Sequence, residues 1–262
     1  MKDMERSFVL KENGLQIPCV LTEPEHCAPN RCIIGIHGFC GSKDNSVLVD
    51  LAEEMSIFGA AVMRFDFPAH GDSPATAWGL SLERCTDTLL TVAAWVQKQY
   101  PDLEVGIFAV GFGAFVTLVQ LDELKEMFDR LKLVLLSPDL HMAQTLLSLS
   151  KQTEESFHKL GRITMGSATK RPVEVSYSFY EEVQDQMVYQ NYQIPMLLLR
   201  AEKDKLVPMS YLEPFCRFNP QSKLVLIPDA DYQFRGEGQW DMVVDLTRDW
   251  FEFEQVLLCD WS

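Results

Sequence analysis

The sequence predicts an α/β chain doubly wound about a mostly parallel sheet, and three observations carry that prediction. Cys32 to Ile36, Val105 to Ala109 and Leu131 to Leu136 are continuous apolar runs, the mark of strands buried on both faces. Segments with helical apolar spacing stand between such runs, so strand and helix alternate along the chain. After Ala109 the chain turns through Gly111-Phe112-Gly113 into small residues at Ala114, which reads as strand, sharp turn and helix.

The chain opens on a hairpin. Ser7 to Leu10 and Leu15 to Leu21 alternate around Glu12-Asn13-Gly14, and Asn-Gly between apolar runs is a strong turn signal. A loop rich in proline and charge, Glu23 to Asn30, leads to the strand Cys32 to Ile36, which ends in His37-Gly38-Phe39-Cys40-Gly41. Leu48 to Phe58 has helical spacing, and Gly59 is placed to stop it. Ala60 to Phe67 reads as the next strand and leads into Pro68-Ala69-His70-Gly71-Asp72-Ser73. Ser81 caps a helix running to Tyr100, with Leu82, Cys85, Leu89, Val92, Ala93 and Val96 along one face. A helix through Leu118 and Leu121 follows the sharp turn, and Ser137-Pro138-Asp139 closes the strand Leu131 to Leu136.

From His141 to Tyr192 the character changes. The segment is polar and aromatic, lacks a long apolar strand, and reads as an inserted cap, mostly helical, with a short hairpin around Val173 to Tyr180. The sheet pattern resumes with Met196 to Arg200, a helix from Ser210 to Phe218, a strand from Leu224 to Ile227 and an amphipathic helix from Gln239 to Leu258. The expected organisation is a core of residues 1–140 and 193–262 carrying a cap of 141–192.

Composition excludes several classes. A chain of 262 residues suffices for one large α/β domain with a sizeable core. Its formal charge of −15 argues against nucleic acid or an anionic membrane as partner, since both demand a basic face. No apolar run approaches the roughly 18 residues of a membrane helix, and the charged start Met1 to Arg6 is unlike a signal peptide. The cysteines, 7 in number, show no paired spacing and read as reduced thiols of a cytoplasmic protein. His26, Cys27 and Cys32 match no zinc spacing, and no metal or cofactor is expected.

Several motifs, in this order, resemble an α/β-hydrolase, and within that superfamily the cinnamoyl/feruloyl-esterase and serine-aminopeptidase-like branch. They are His37-Gly38-Phe39, Arg64-Phe65-Asp66-Phe67 with His70-Gly71-Asp72-Ser73, the Gly111-Phe112-Gly113 turn, and Asp204 followed by Val207-Pro208. The resemblance spans nearly the whole chain and implies a carboxylic-ester hydrolase with its serine at the tip of a G-x-S-x-G elbow. Here the elbow reads Ala109-Val110-Gly111-Phe112-Gly113, so Gly111 takes the nucleophile's position. By the same resemblance Asp204 takes the acid's position. In Asp229-Ala230-Asp231-Tyr232-Gln233-Phe234, Tyr232 stands where the histidine belongs. The backbone N–H groups of Phe39 and Phe112 fall at the oxyanion donors' positions, with Cys40 beside them.

These departures bear on the chemistry. In a triad the histidine takes the nucleophile's proton and later returns it to the leaving group, while the acid orients the ring. Gly111 offers no nucleophile, and a phenol with an ordinary pKa of about 10 is a poor base near neutrality. The expectation is therefore a pseudo-hydrolase with a degenerate triad that binds a small apolar, acyl or aromatic ligand. An esterase working through Cys40 or a recruited His37 or His70, and a protein-interaction module, are the alternatives. His37 and His70 are expected to buttress loops, Ser137 to satisfy loop backbone, and Asp204 to hydrogen-bond the Tyr232 hydroxyl. The aromatics of 141–192 either bind ligand or form that segment's own core.

Overall fold

The computed structural model describes residues 5–76, 79–166 and 172–251. Strands β1 (Glu5–Glu12) and β2 (Leu15–Thr22) pair antiparallel across Asn13 and Gly14. Both turn residues have positive φ, 49° and 76°, the geometry whose twist suits a two-residue hairpin. The chain continues through β3 (Arg31–Ile36), β4 (Ala60–Phe65), β5 (Glu104–Val110) and β6 (Leu131–Leu136). It then forms a separate antiparallel pair, β7 (Arg162–Met165) with β8 (Val173–Ser176), and returns as β9 (Met196–Ala201) and β10 (Lys223–Ile227). The main sheet has eight strands in the order β1-β2-β4-β3-β5-β6-β9-β10, parallel from β4 to β10 with the hairpin antiparallel at one edge.

Between the strands run α1 (Ser46–Ile57), α2 (Leu82–Gln99), α3 (Phe112–Val119), α4 (Leu121–Met127), α5 (Met142–Ser150), α6 (Glu154–Leu160), α7 (Tyr177–Gln184), α8 (Met209–Phe218) and α9 (Gln239–Phe251). Asn45 starts α1 and Ser81 starts α2, each accepting a hydrogen bond from a first-turn N–H, at 3.1 and 3.2 Å. Alternate strand residues feed two cores. Ile33, Val62, Phe108, Val134 and Leu197 pack toward α1 and α9, whereas Ile34, Met63, Ile107, Leu133 and Leu198 pack with residues of α2, α3 and α8. That is why these strands read as unbroken apolar runs.

Several boundaries differ from the sequence expectations for local reasons. The strand from Ala60 stops at Phe65: beyond it the Asp66 carboxylate draws in two loops, accepting from Lys43 N–H at 2.7 Å and Asp72 N–H at 2.8 Å. The helix expected through Leu118 and Leu121 is two helices, joined at Gln120. The hairpin expected over Val173 to Tyr180 is instead β7 with β8. Ser176 then accepts from the Phe179 N–H at 3.1 Å and starts α7. The last helix is described to Phe251, and its expected continuation to Leu258 lies outside the described residues. Among the described residues no helix is long and apolar enough to cross a membrane.

Candidate functional site

Every residue that the resemblance placed at the site lies just beyond the carboxyl end of a parallel strand. His37, Phe39 and Cys40 follow β3, Gly111 and Phe112 follow β5, Asp204 follows β9, and Tyr232 follows β10. Crevices outside the carboxyl ends of strands are where open α/β sheets bind ligands. Phe39, Cys40, Gly111, Phe112, Asp204 and Tyr232 all line one cavity of about 380 Å³, within the ordinary size of a small-molecule site.

The elbow is held by backbone. Gly111 has φ 51° and ψ −109°, its N–H donates to Leu136 O at 3.0 Å, and its carbonyl accepts from Asp139 N–H at 3.1 Å. This is a conformation that residues with a Cβ adopt only under strain. A Cβ added there would still find room, the nearest atoms being Ser137 O at 3.9 Å and Gly38 Cα at 4.0 Å. The turn thus has room for a side chain, although its backbone favours glycine. Helix α3 begins at Phe112 with no side-chain cap, so its positive end falls at the cavity wall. Phe112 is buried, its ring 5.4 Å from Phe39 and 5.5 Å from Phe67. Phe39 and Phe112 both wall the cavity and pack on each other.

The acid position is equally well built. Asp204 is 6% exposed, and its Oδ1 accepts from Leu206 N–H at 2.7 Å and Val207 N–H at 3.1 Å. Arg200 clamps this loop from beneath, its guanidinium donating to the carbonyls of Val207, Ala201, Glu202 and Asp204. Oδ2 of Asp204 is buried and has no hydrogen-bond partner among the described residues.

The hydrogen bond expected between Asp204 and Tyr232 is not made. Tyr232 is 54% exposed, and its hydroxyl accepts from Gln233 Nε2 at 2.9 Å. Lys203 N–H still donates to Ala230 O at 2.8 Å, so the two loops are joined by backbone although their side chains are not. A solvated hydroxyl at the cavity's edge is favoured over a bulky phenol forced inward to the carboxylate.

The recruited-base and substitute-nucleophile readings meet specific obstacles. His37 is buried; its Nε2 accepts from Phe67 N–H at 3.1 Å, leaving Nδ1–H to donate to Gly38 O at 2.8 Å. Both ring nitrogens are committed to backbone, and burial pushes the imidazole down to about 4. His70 Nδ1 bonds Pro68 O at 2.9 Å, and its ring stacks on Phe112 at 6.5 Å. Burial pushes the Cys40 thiol up to about 11, away from the nucleophilic thiolate. Ser137 departs from expectation: its Oγ is buried without a partner among the described residues, while its N–H donates to Leu199 O at 2.7 Å. The aromatics of 141–192 divide: Phe157 packs 5.4 Å from Tyr177 and 5.6 Å from Tyr180, Tyr189 and Tyr192 pack on Phe215, and Phe179 backs the walls at 6.1 Å from Phe39 and 6.0 Å from Phe112, though none of them lines the cavity itself. Among the described residues no group of His, Cys, Asp and Glu is arranged to hold a metal ion.

Asp139 escaped the sequence reading. It lines the cavity, accepts from His141 N–H at 3.2 Å and Thr145 Oγ at 3.0 Å, and is pushed up to about 6 by burial. Thr145 and His141 oppose that shift, and the Asp204 charge adds to it. The only sequence signal was an acid at the end of the strand beside the elbow. Because the folded carboxyl holds its proton more tightly than the unfolded one, its contribution favours folding at low pH and is lost as pH rises through about 6. Asp139→Asn, which keeps the accepting oxygen, is therefore expected to be more stable than the native chain at pH 8, by on the order of 3 kcal/mol. The gain should vanish by pH 4. Urea midpoints at pH 4, 6 and 8 check this, and the opposite slope from His37 is common to both proteins and cancels.

No protein-family model matches the chain, and no curated protein matches it in sequence. Solved structures match its fold. The esterase Est1E of Butyrivibrio proteoclasticus, solved with ferulic acid bound, superposes with a TM-score of 0.80 at 18% identity, over 93% of this chain and 97% of that one. Mouse alpha/beta hydrolase domain-containing protein 10 superposes with a TM-score of 0.74 at 16% identity, over 93% and 97% of the two chains. A hydrolase described as putative from Agrobacterium vitis gives 0.75 at 18% identity, over 95% and 98%. The chain has the α/β-hydrolase fold.

Proposed function

We propose that this α/β-hydrolase-fold chain is a non-catalytic member of its fold, holding a small aryl or acyl ligand in the cavity walled by Phe39 and Phe112. One observation carries the reading. The elbow keeps its strained backbone with Gly111 at the tip, while the hydroxyl of Tyr232 bonds Gln233 and leaves Asp204 Oδ2 unpaired. Nucleophile and base are missing together, yet the loops that would position them are intact. Acyl transfer needs both groups within hydrogen-bond reach of one another. A ligand needs only the cavity and its aromatic walls.

The ferulic acid in Est1E lends support to an aromatic occupant, since that chain superposes over nearly its whole length. The test is thermal melting of the intact chain with aryl and medium-chain acyl compounds, each offered as acid, alcohol and amine. A ligand at about a hundred times its dissociation constant adds about 2.7 kcal/mol, which for a chain of this size raises Tm by roughly 5–10 °C. A saturable rise with at least one series supports the reading. A panel that leaves Tm unmoved throughout overturns it.

A further inference from the structure

We propose that the cavity selects ligands whose polar head is a cationic nitrogen on an aryl or alkyl body, with Oδ2 of Asp204 as the receptor for that head. The inference rests on the ligand-binding reading above and narrows it to a chemical class. Its first support is the unpartnered oxygen. Asp204 is 94% buried by its 6% exposure and lines the cavity, and its Oδ1 is already satisfied by two backbone N–H groups. Oδ2 has none. A buried carboxylate oxygen without a donor is costly, and an N–H bearing positive charge is the donor that relieves it best.

Most of the surroundings point the same way, the positive end of α3 excepted. Asp139 lines the same cavity, so two carboxyl groups face it. The nearest buried cation, Arg200, spends its guanidinium on main-chain carbonyls and offers nothing to the Asp204 carboxylate. Arg235 also lines the cavity, but at an exposed position where water screens its charge. Ser137 Oγ, buried on the same lining and without a partner, supplies a second acceptor for an N–H. A net charge of −15 over the whole chain draws cations and repels carboxylates on approach. The remaining wall, with Phe39, Phe112, Val110 and Leu206, suits an apolar body.

The experiment uses three probes with one body: 3-phenylpropylamine, 3-phenylpropanol and 3-phenylpropanoic acid, titrated calorimetrically into the intact chain at pH 7.5. The amine is expected to bind about 10- to 100-fold tighter than the alcohol, as a charged hydrogen bond to a buried partner does, and the acid more weakly than either. In Asp204→Asn, which keeps the oxygen accepting from Leu206 and Val207, amine affinity should fall to that of the alcohol while the alcohol changes little. The native chain's own ranking tests the proposal should that variant fold poorly. Binding of the acid or alcohol with no preference for the amine overturns the head-group assignment and leaves the pocket reading standing. An amine that binds equally well to folded Asp204→Asn also overturns the assignment. No binding by any of the three overturns the head-group assignment, and the melting panel then decides the pocket reading.

Discussion

On p-nitrophenyl butyrate the native chain is expected to release nitrophenolate at the buffer rate, and the Gly111→Ser, Tyr232→His double variant to exceed it by about a thousandfold. The cavity, the uncapped start of α3 and the buried acid are already in place, so the variant adds only the reacting groups. A Ser side chain at 111 meets nothing closer than 3.9 Å from its Cβ, so it fits at the cost of backbone strain alone. That strain costs about 1–3 kcal/mol, which the fold must absorb. A His at 232 finds an unpaired carboxylate oxygen to orient its ring, provided it abandons the outward position Tyr232 holds. Each single variant should remain near background, because a nucleophile without its base and a base without its nucleophile are each close to inert. Turnover by the native chain well above buffer would sink the non-catalytic reading and direct attention to Cys40.

The second large effect concerns the other glycine of the elbow. Gly113→Ala is expected to lose about 3 kcal/mol of stability or more, among the costliest single changes a core tolerates. A Cβ at 113 would lie 2.7 Å from His37 O, 2.8 Å from Ile36 Cγ2 and 2.9 Å from Ile36 O. Two of these atoms are main chain of the segment that ends β3, and they cannot yield without moving the strand. Gly111→Ala is the control. It carries the positive φ but no clash, and should cost less, within the same strain of about 1–3 kcal/mol. Urea denaturation of both variants checks the order. If Gly111→Ala proves the more damaging, close approach of α3 to β3 is not what requires glycine at 113.

Much of this was legible in the residues. The unbroken apolar runs at Cys32 to Ile36 and Leu131 to Leu136 exist because both faces of the sheet are covered, and that requirement is visible without coordinates. The turn at Gly111 was visible too, since a strand running into Gly-Phe-Gly has few other meanings. Side-chain orientation was not. Whether Tyr232 points toward Asp204 depends on the turn from Asp231 to Phe234, where Asp231 O accepts from Phe234 N–H at 3.1 Å, and spacing alone says nothing about it. Asp139 was hidden for a related reason: only the pairing of β5 with β6, and the hydrogen bond from its N–H to Gly111 O, bring it to the cavity. Ser137 likewise looked like any strand-end serine until its hydroxyl proved to have no partner among the described residues.

The backbone bonds that hold Gly111, from its N–H to Leu136 and from Asp139 to its carbonyl, involve no side chain of the residue at the tip. The elbow's shape is consequently inherited separately from its chemistry, and a lineage can lose the reacting atoms without eroding the framework that aimed them. Every tyrosine codon lies a single base from a histidine codon, and pyrimidine-ending glycine codons lie a single base from serine. With the turn held by its own main chain, placing serine at 111 and histidine at 232 needs as few as two base changes and no rebuilding of the backbone that would aim them.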